Sequence, residues 1–167
     1  MARFAGMADG APSDEVRRIL ERHRRIAMVG LSPREDRPSH RVMVHMRAQG
    51  YAITPVNPTC DAVDGLPCAA SLDEAAERGP LGIVNVFRRA VDIPPVVDDA
   101  IRLGAEVVWL QLGLREEGSA ARAAAAGLQV VQDRCIKIEH CRFFGGLDVV
   151  GLSTGVIGSR RMAAFRP

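Results

Sequence analysis

The apolar run Ile26-Ala27-Met28-Val29 stops at Gly30 and is followed by Leu31-Ser32-Pro33, then by Arg37-Pro38-Ser39-His40. A glycine closing a buried strand lets the chain turn tightly and lets a ligand approach the main chain. The start of the next helix offers N–H groups without intrahelical acceptors, a setting that suits an anion. Ser32 adds a hydroxyl where the fingerprint G-x-G-x-x-G would carry its second glycine, so that fingerprint is not present. Arg34, Arg37 and Arg41 lie in or just after the turn, and Arg88 and Arg89 follow Val86-Phe87. The chemistry on offer is phosphate recognition. Taken singly, each arginine reads as solvated rim and Phe87 as core. Gathered at one edge with the apolar surface of Phe87 and Pro55-Val56, they read as a site for a nucleotide with several phosphates.

The elements that must hold these residues follow from hydrophobic period. Val16, Ile19, Leu20 and His23 recur at helical spacing after Ser13 or Asp14. Strands are expected at Ile26 to Gly30, Tyr51 to Val56, Gly82 to Phe87, Glu106 to Gln111 and Leu128 to Val131. Helices are expected from Ser39 to Gln49, from Leu72 to Arg78 behind a Ser71–Glu74 capping box, after Pro94-Pro95, and from Arg115 to Ala126. Residues 59–70 read as an irregular loop. Alternating β and α elements imply a doubly wound, five-stranded parallel sheet, Rossmann-like, with helices on both faces and an expected strand order of 3-2-1-4-5. Ligands of such sheets bind beyond the carboxyl ends of the strands. The second strand ends Val56-Asn57-Pro58, without the acidic residue that a dinucleotide ribose usually meets.

At 167 residues the chain suits one domain. Residues 1–12 read as a loose N-terminus, 13–142 as the domain and 143–167 as a C-terminal extension. The formal net charge of +2 gives no argument for nucleic acid or a membrane surface as partner. No stretch approaches a membrane span or a signal peptide. Cys60, Cys68, Cys135 and Cys141 form no C-x-x-C pair and read as free thiols of a cytoplasmic protein. Cys135, beside Arg134, could form a mixed disulfide with a ligand thiol; the alternative, a small buried hydrophobe, is the preferred reading. A metal site from Cys135, His140 and Cys141 does not match a recognised spacing. His140 reads as a structural or capping histidine and His23 and His45 as surface or packing residues, whereas His40, at a helix start, would add a proton-dependent charge near phosphates. Asp98-Asp99 and Glu116-Glu117 read as solvated helix faces, and no Ser-His-Asp arrangement can be assembled.

The blocks Val29-Gly30-Leu31-Ser32-Pro33, Arg37-Pro38-Ser39-His40, Pro55-Val56-Asn57-Pro58, Val86-Phe87-Arg88-Arg89, Trp109-Leu110-Gln111-Leu112-Gly113 and Asp133 to His140 resemble the small single-domain CoA-binding proteins. These are similar to the N-terminal domain of the succinyl-CoA synthetase α subunit. The resemblance implies that Gly30, Leu31 and Ser32 meet the pyrophosphate, with Arg37 and Ser39 on phosphate oxygens. It implies that Pro55, Val56 and Asn57 border the adenosine, Phe87 and Arg88 line the far side, and Gln111 and Leu112 mark the pantetheine path. It supports binding of coenzyme A or an acyl-CoA and withholds catalysis, because the catalytic parts of such ligases lie in other domains. Two alternatives stand beside it: an NAD(P)- or acyl-CoA-dependent enzyme completed by a partner chain, and an interaction module without ligand. The apolar segment Leu147 to Leu152 would suit either covering a sheet edge or pairing with another chain, as in a homodimer.

Overall fold

The computed structural model describes residues 13–145. Helix α1 (Ser13–Arg22) buries Val16, Ile19 and Leu20, the stripe its sequence spacing sets. Strand β1 (Arg25–Val29) leads through Gly30 to α2 (Pro38–Ala48), whose proline occupies the first turn, where a missing N–H costs nothing. After β2 (Ala52–Val56) the chain forms a small antiparallel hairpin, β3 (Ala62–Val63) and β4 (Leu66–Pro67). This hairpin replaces the expected irregular loop. Its two central residues, Asp64 and Gly65, both have positive φ, as a type I′ turn requires, and Asp-Gly is a favoured pair for that turn.

Helix α3 (Leu72–Glu77) begins at Ser71, whose Oγ accepts the Glu74 N–H at 3.2 Å. Glu74 returns to the Ala70 N–H at 2.8 Å, one residue before the expected capping-box partner. Strand β5 (Ile83–Val86), a 3-10 turn (Ala90–Asp92), α4 (Ile93–Arg102), β6 (Val107–Leu110), α5 (Glu117–Ala125), β7 (Gln129–Val131) and α6 (Ile136–Phe144) complete the chain. Helix α5 starts two residues later than expected because Glu116 is its cap, accepting N–H groups of Gly118 and Ser119. Helix α6 was not foreseen, and it carries Phe143 and Phe144 past the expected domain end at 142.

The five long strands are parallel in the order β2-β1-β5-β6-β7. Counting only these strands, the order is 2-1-3-4-5, which corrects the expected 3-2-1-4-5. The physical reason lies in two elements. Pro55 sits in β2 and turns its carbonyl outward to the Ala69 N–H at 2.8 Å, so its missing N–H also falls on the outer side. A proline there fits an edge strand. In contrast, β5 is buried at all four positions, as a strand flanked on both sides must be. The helices agree. Val42, Met43 and Met46 of α2 join Val16, Met28, Trp109 and Ile136 on one face of the sheet. Leu72 and Ala75 of α3 join Val84, Val86, Val97 and Ala123 on the other. Right-handed crossovers on opposite faces run in opposite directions, so the chain turns back past β1 after β2. The winding therefore reverses between β1 and β5.

Candidate functional site

The reversal point opens at Gly30. Its φ of +84° is the left-handed conformation that glycine adopts freely. A Cβ at this position would collide with the Phe87 carbonyl oxygen. The Gly30 N–H donates to Val56 O at 2.9 Å and the Phe87 N–H to Val29 O at 2.8 Å, so three strand ends are laced together. The carboxyl ends of β2, β1 and β5 thus present one continuous edge.

Beyond Gly30, Leu31 is fully buried, and its carbonyl accepts the Asn57 Nδ2–H at 2.9 Å. Asn57 uses its other end, Oδ1, to accept the Thr59 N–H and hydroxyl at 2.9 and 2.7 Å. The Ser32 N–H donates to Ser39 Oγ at 3.1 Å, while Ser32 Oγ accepts the Arg34 N–H at 3.2 Å. The N–H groups of Gly30 and Ser32 are both spent on protein acceptors, and the turn is braced before any ligand arrives. What Ser32 and Ser39 retain is the hydroxyl hydrogen, since each oxygen accepts one bond and can still donate another.

The arginines divide by partner. Arg34 is clamped by Asp36, at 3.0 and 2.8 Å, and holds that carboxyl below its usual range. Arg89 is likewise held by Asp92 at 2.8 Å. Arg37, Arg41 and Arg88 have no carboxylate within salt-bridge distance among the described residues. Arg37 is the exposed N-cap of α2. The Cδ of Arg88 comes within 3.3 Å of the space that a Gly30 Cβ would fill, so its stem lies over the turn.

The remaining sequence-predicted residues are placed less directly. Pro55 and Val56 are buried in β2 and Phe87 is half-buried against the core. Gln111 is buried and donates to Asn85 Oδ1 at 2.5 Å, while Leu112 beside it is 65% exposed. Asn85 was not singled out from the sequence, although a polar residue inside Ile83-Val84-Asn85-Val86 is a visible interruption. Its Nδ2 is buried without an acceptor among the described residues. Also missed was the tie from α2 to the hairpin: buried His40 contacts Asp64 Oδ1 through Nε2 at 3.0 Å, and Arg47 donates to the Asp64 carbonyl. His40 is therefore turned to a carboxylate, which corrects its expected place beside phosphates.

His23, buried at the end of α1, has its Nδ1 3.7 Å from Glu106 Oε1, whereas His45 of α2 packs against His140 and Cys141 of α6. His140 packs against His45, Tyr51 and Phe144 with ring centroids 4.8 to 5.7 Å apart. Burial, then the neighbouring His45 and Arg24, pulls its pKa down to about 4. Cys141 is buried 3.5 Å from His45 Nε2, and burial pushes its thiol pKa up. Cys135 packs half-buried against the core, and the Arg134 guanidinium beside it is drawn to buried Glu139 at 3.4 Å. The expected pairing segment 147–152 lies outside the described residues.

The fold and this edge define a Rossmann-like doubly wound α/β domain, open at the point where the winding reverses. A family model described as CoA binding domain matches residues 24–141. The chain belongs to that family. It is 44% identical to the uncharacterized protein YneT of Bacillus subtilis over 126 residues, 75% of this chain and 92% of that one. A hypothetical protein from Pyrococcus horikoshii OT3 superposes with a TM-score of 0.77 at 33% identity, over 86% of this chain and all of its own. The dinucleotide-forming acetyl-coenzyme A synthetase 1 of Ca. Korarchaeum cryptofilum shares the fold at a TM-score of 0.58 and 20% identity. That match covers 66% of this chain but 26% of the synthetase. No helix among the described residues is long and apolar enough to cross a membrane.

Proposed function

We propose that this protein binds coenzyme A or an acyl-CoA reversibly at the edge around Gly30, without catalysis of its own. The observation that carries this reading is the set of arginines without carboxylate partners among the described residues, Arg37, Arg41 and Arg88, beside the braced Gly30–Ser32 turn. Unpaired guanidinium groups beside hydroxyl donors match the phosphates of such a ligand in charge and geometry. Ser32 and Ser39 donate hydroxyl hydrogens to phosphate oxygens, and Arg37 and Arg88 supply the charge from either side of the turn. Pro55, Val56 and Asn57 border the adenosine, with Asn57 setting the position of the backbone there. Phe87 offers ring surface opposite. Gln111 and Leu112 mark the way out for the pantetheine arm, the exposed leucine giving apolar contact. The ligand is a small molecule, and neither nucleic acid nor membrane is required.

Isothermal titration with CoA, acetyl-CoA and NAD(P) tests the reading. CoA or its thioester is expected to bind with an affinity that falls as salt rises. Arg37→Ala and Arg88→Ala are each expected to weaken it roughly tenfold or more, as loss of a charge-assisted hydrogen bond does. Unchanged affinity in both variants would remove this site assignment. Binding of NAD(P) in place of CoA would transfer the edge to a different cofactor.

A further inference from the structure

Cys60 and Cys68 flank the β3–β4 hairpin and stand with their sulfur atoms 3.1 Å apart. The hairpin fixes both. The Cys68 N–H donates to the Asp61 carbonyl at 2.8 Å, which continues the ladder beyond Ala62 and Pro67. Arg78 clamps the other side, donating to the carbonyls of Pro67 and Cys68 at 2.8 Å each. Both side chains are half-buried against the core. Two thiols held this close by backbone on both sides need only a small approach to reach a bond length of about 2.05 Å. Cys135 and Cys141, the other two cysteines, belong to the α6 region, where Cys141 is buried beside His45.

We propose that Cys60 and Cys68 form a dithiol site that reacts with low-molecular-weight disulfides and closes into an intramolecular disulfide. The reaction is thiol–disulfide exchange. The Cys60 thiolate attacks one sulfur of the disulfide RS–SR; the S–S bond breaks and RS⁻ leaves with the electron pair, taking up the proton that Cys60 lost. Cys68 then loses its proton and attacks the Cys60 sulfur of the mixed disulfide, releasing the second RS⁻, which takes up that proton as RSH. The sum is one protein dithiol and one RSSR giving one protein disulfide and two RSH. The protein is oxidised by two electrons and the small disulfide is reduced by two.

The order of attack follows from the surroundings. Burial, with the adjacent Cys60, pushes the Cys68 thiol up to about 12, so Cys68 is the poorer first nucleophile. Once Cys60 carries the mixed disulfide, its charge no longer opposes ionisation of Cys68, while Arg78 favours it. The bridge would close across residues whose backbone continues into Asn57, Ala69 and the Asp64 contact with His40. The inference does not depend on which nucleotide the Gly30 edge binds.

The test uses the reduced full chain with bis(2-hydroxyethyl) disulfide, a neutral probe, followed by intact-mass measurement and peptide mapping. The parent is expected to lose two hydrogens and to yield a Cys60–Cys68 peptide pair. Cys68→Ser is expected to stall as a single hydroxyethylthio adduct on Cys60. Cys60→Ser is expected to react at this hairpin at least tenfold more slowly. Adducts that persist at Cys60 and Cys68 of the parent without closing would overturn the proposal, as would no reaction or bridging of a different pair. Alkylation rates of the two thiols in the parent give a second readout that needs no variant; faster labelling of Cys68 than of Cys60 would overturn the order of attack. Repeating the reaction with CoA disulfide separates the sources of RSSR. A rate at least tenfold above the neutral probe, suppressed by CoA, identifies disulfides of the site's own ligand; equal rates identify small disulfides in general. Failure of CoA binding would leave the reaction with the neutral probe untouched.

Discussion

Gly30 carries two burdens at once. Its backbone angle is one that a side chain disfavours by about 1–2 kcal/mol, and its missing side chain leaves room for the Phe87 carbonyl. Gly30→Ala is expected to lower unfolding stability by more than about 2 kcal/mol, read from urea titration, because both costs add. Asn57 works differently. It is a strut between β2 and the Leu31 carbonyl, a role that neither its place before Pro58 nor its expected position at the adenosine reveals. The serines and arginines were legible by type and spacing, but their division of labour was not. Nothing in the chain order says that Arg34 and Arg89 are occupied by Asp36 and Asp92 while Arg37 and Arg88 are not. That depends on side-chain reach across a folded turn.

At the scale of elements, caps and buried faces decide what could be read. Helix α5 depends on Glu116, whose carboxylate accepts two N–H groups and is held below its usual pKa by those bonds. Glu116→Ala is expected to cost about 1 kcal/mol in thermal or urea unfolding. Its depressed pKa makes that stabilisation present at neutral pH and lost in acid, as the folded carboxylate takes up a proton. Helix α6 escaped prediction because two of its four buried residues, Glu139 and His140, are polar and erase the apolar period. The same burial gives α6 a pH response. An unfolded His140 takes up its proton near 6.5, the folded ring only near 4. Between those values the unfolded state binds more protons, so stability falls as pH drops through this window, by an amount on the order of 3 kcal/mol at full extent. Unfolding free energies of the parent from pH 7 to 4 should show the loss. His140→Phe, which cannot titrate, should flatten the curve over that range.

For the whole molecule, the alternation of periods announced a doubly wound sheet, and the carboxyl edge was correctly expected to gather Gly30, Asn57 and Phe87. The order of strands was misjudged although the clue stood in the sequence. Pro55 inside the second strand already argues for an edge, which forbids a third strand outside it. The Asp64-Gly65 pair was an equally plain hairpin signal inside a segment read as loop. What the chain order could not supply was the pairing of distant groups, such as Gln111 with Asn85 or His40 with Asp64. Ligand binding acts on the molecule as a unit by mass action. CoA at one hundred times its dissociation constant should raise the unfolding free energy by about 2.7 kcal/mol, and the midpoint should climb with the logarithm of concentration. A midpoint indifferent to CoA would contradict the proposed ligand.

The collision waiting at Gly30 also bears on how this chain can change over time. A mutant that acquires any side chain there loses folding stability whether or not a ligand is present, whereas Arg37 and Arg88 are exposed and bound to no carboxylate among the described residues. Selection therefore sees the glycine through folding and the arginines through binding. A descendant that abandoned its ligand would shed the arginines first and keep the glycine, and the shape of the turn would outlive its use.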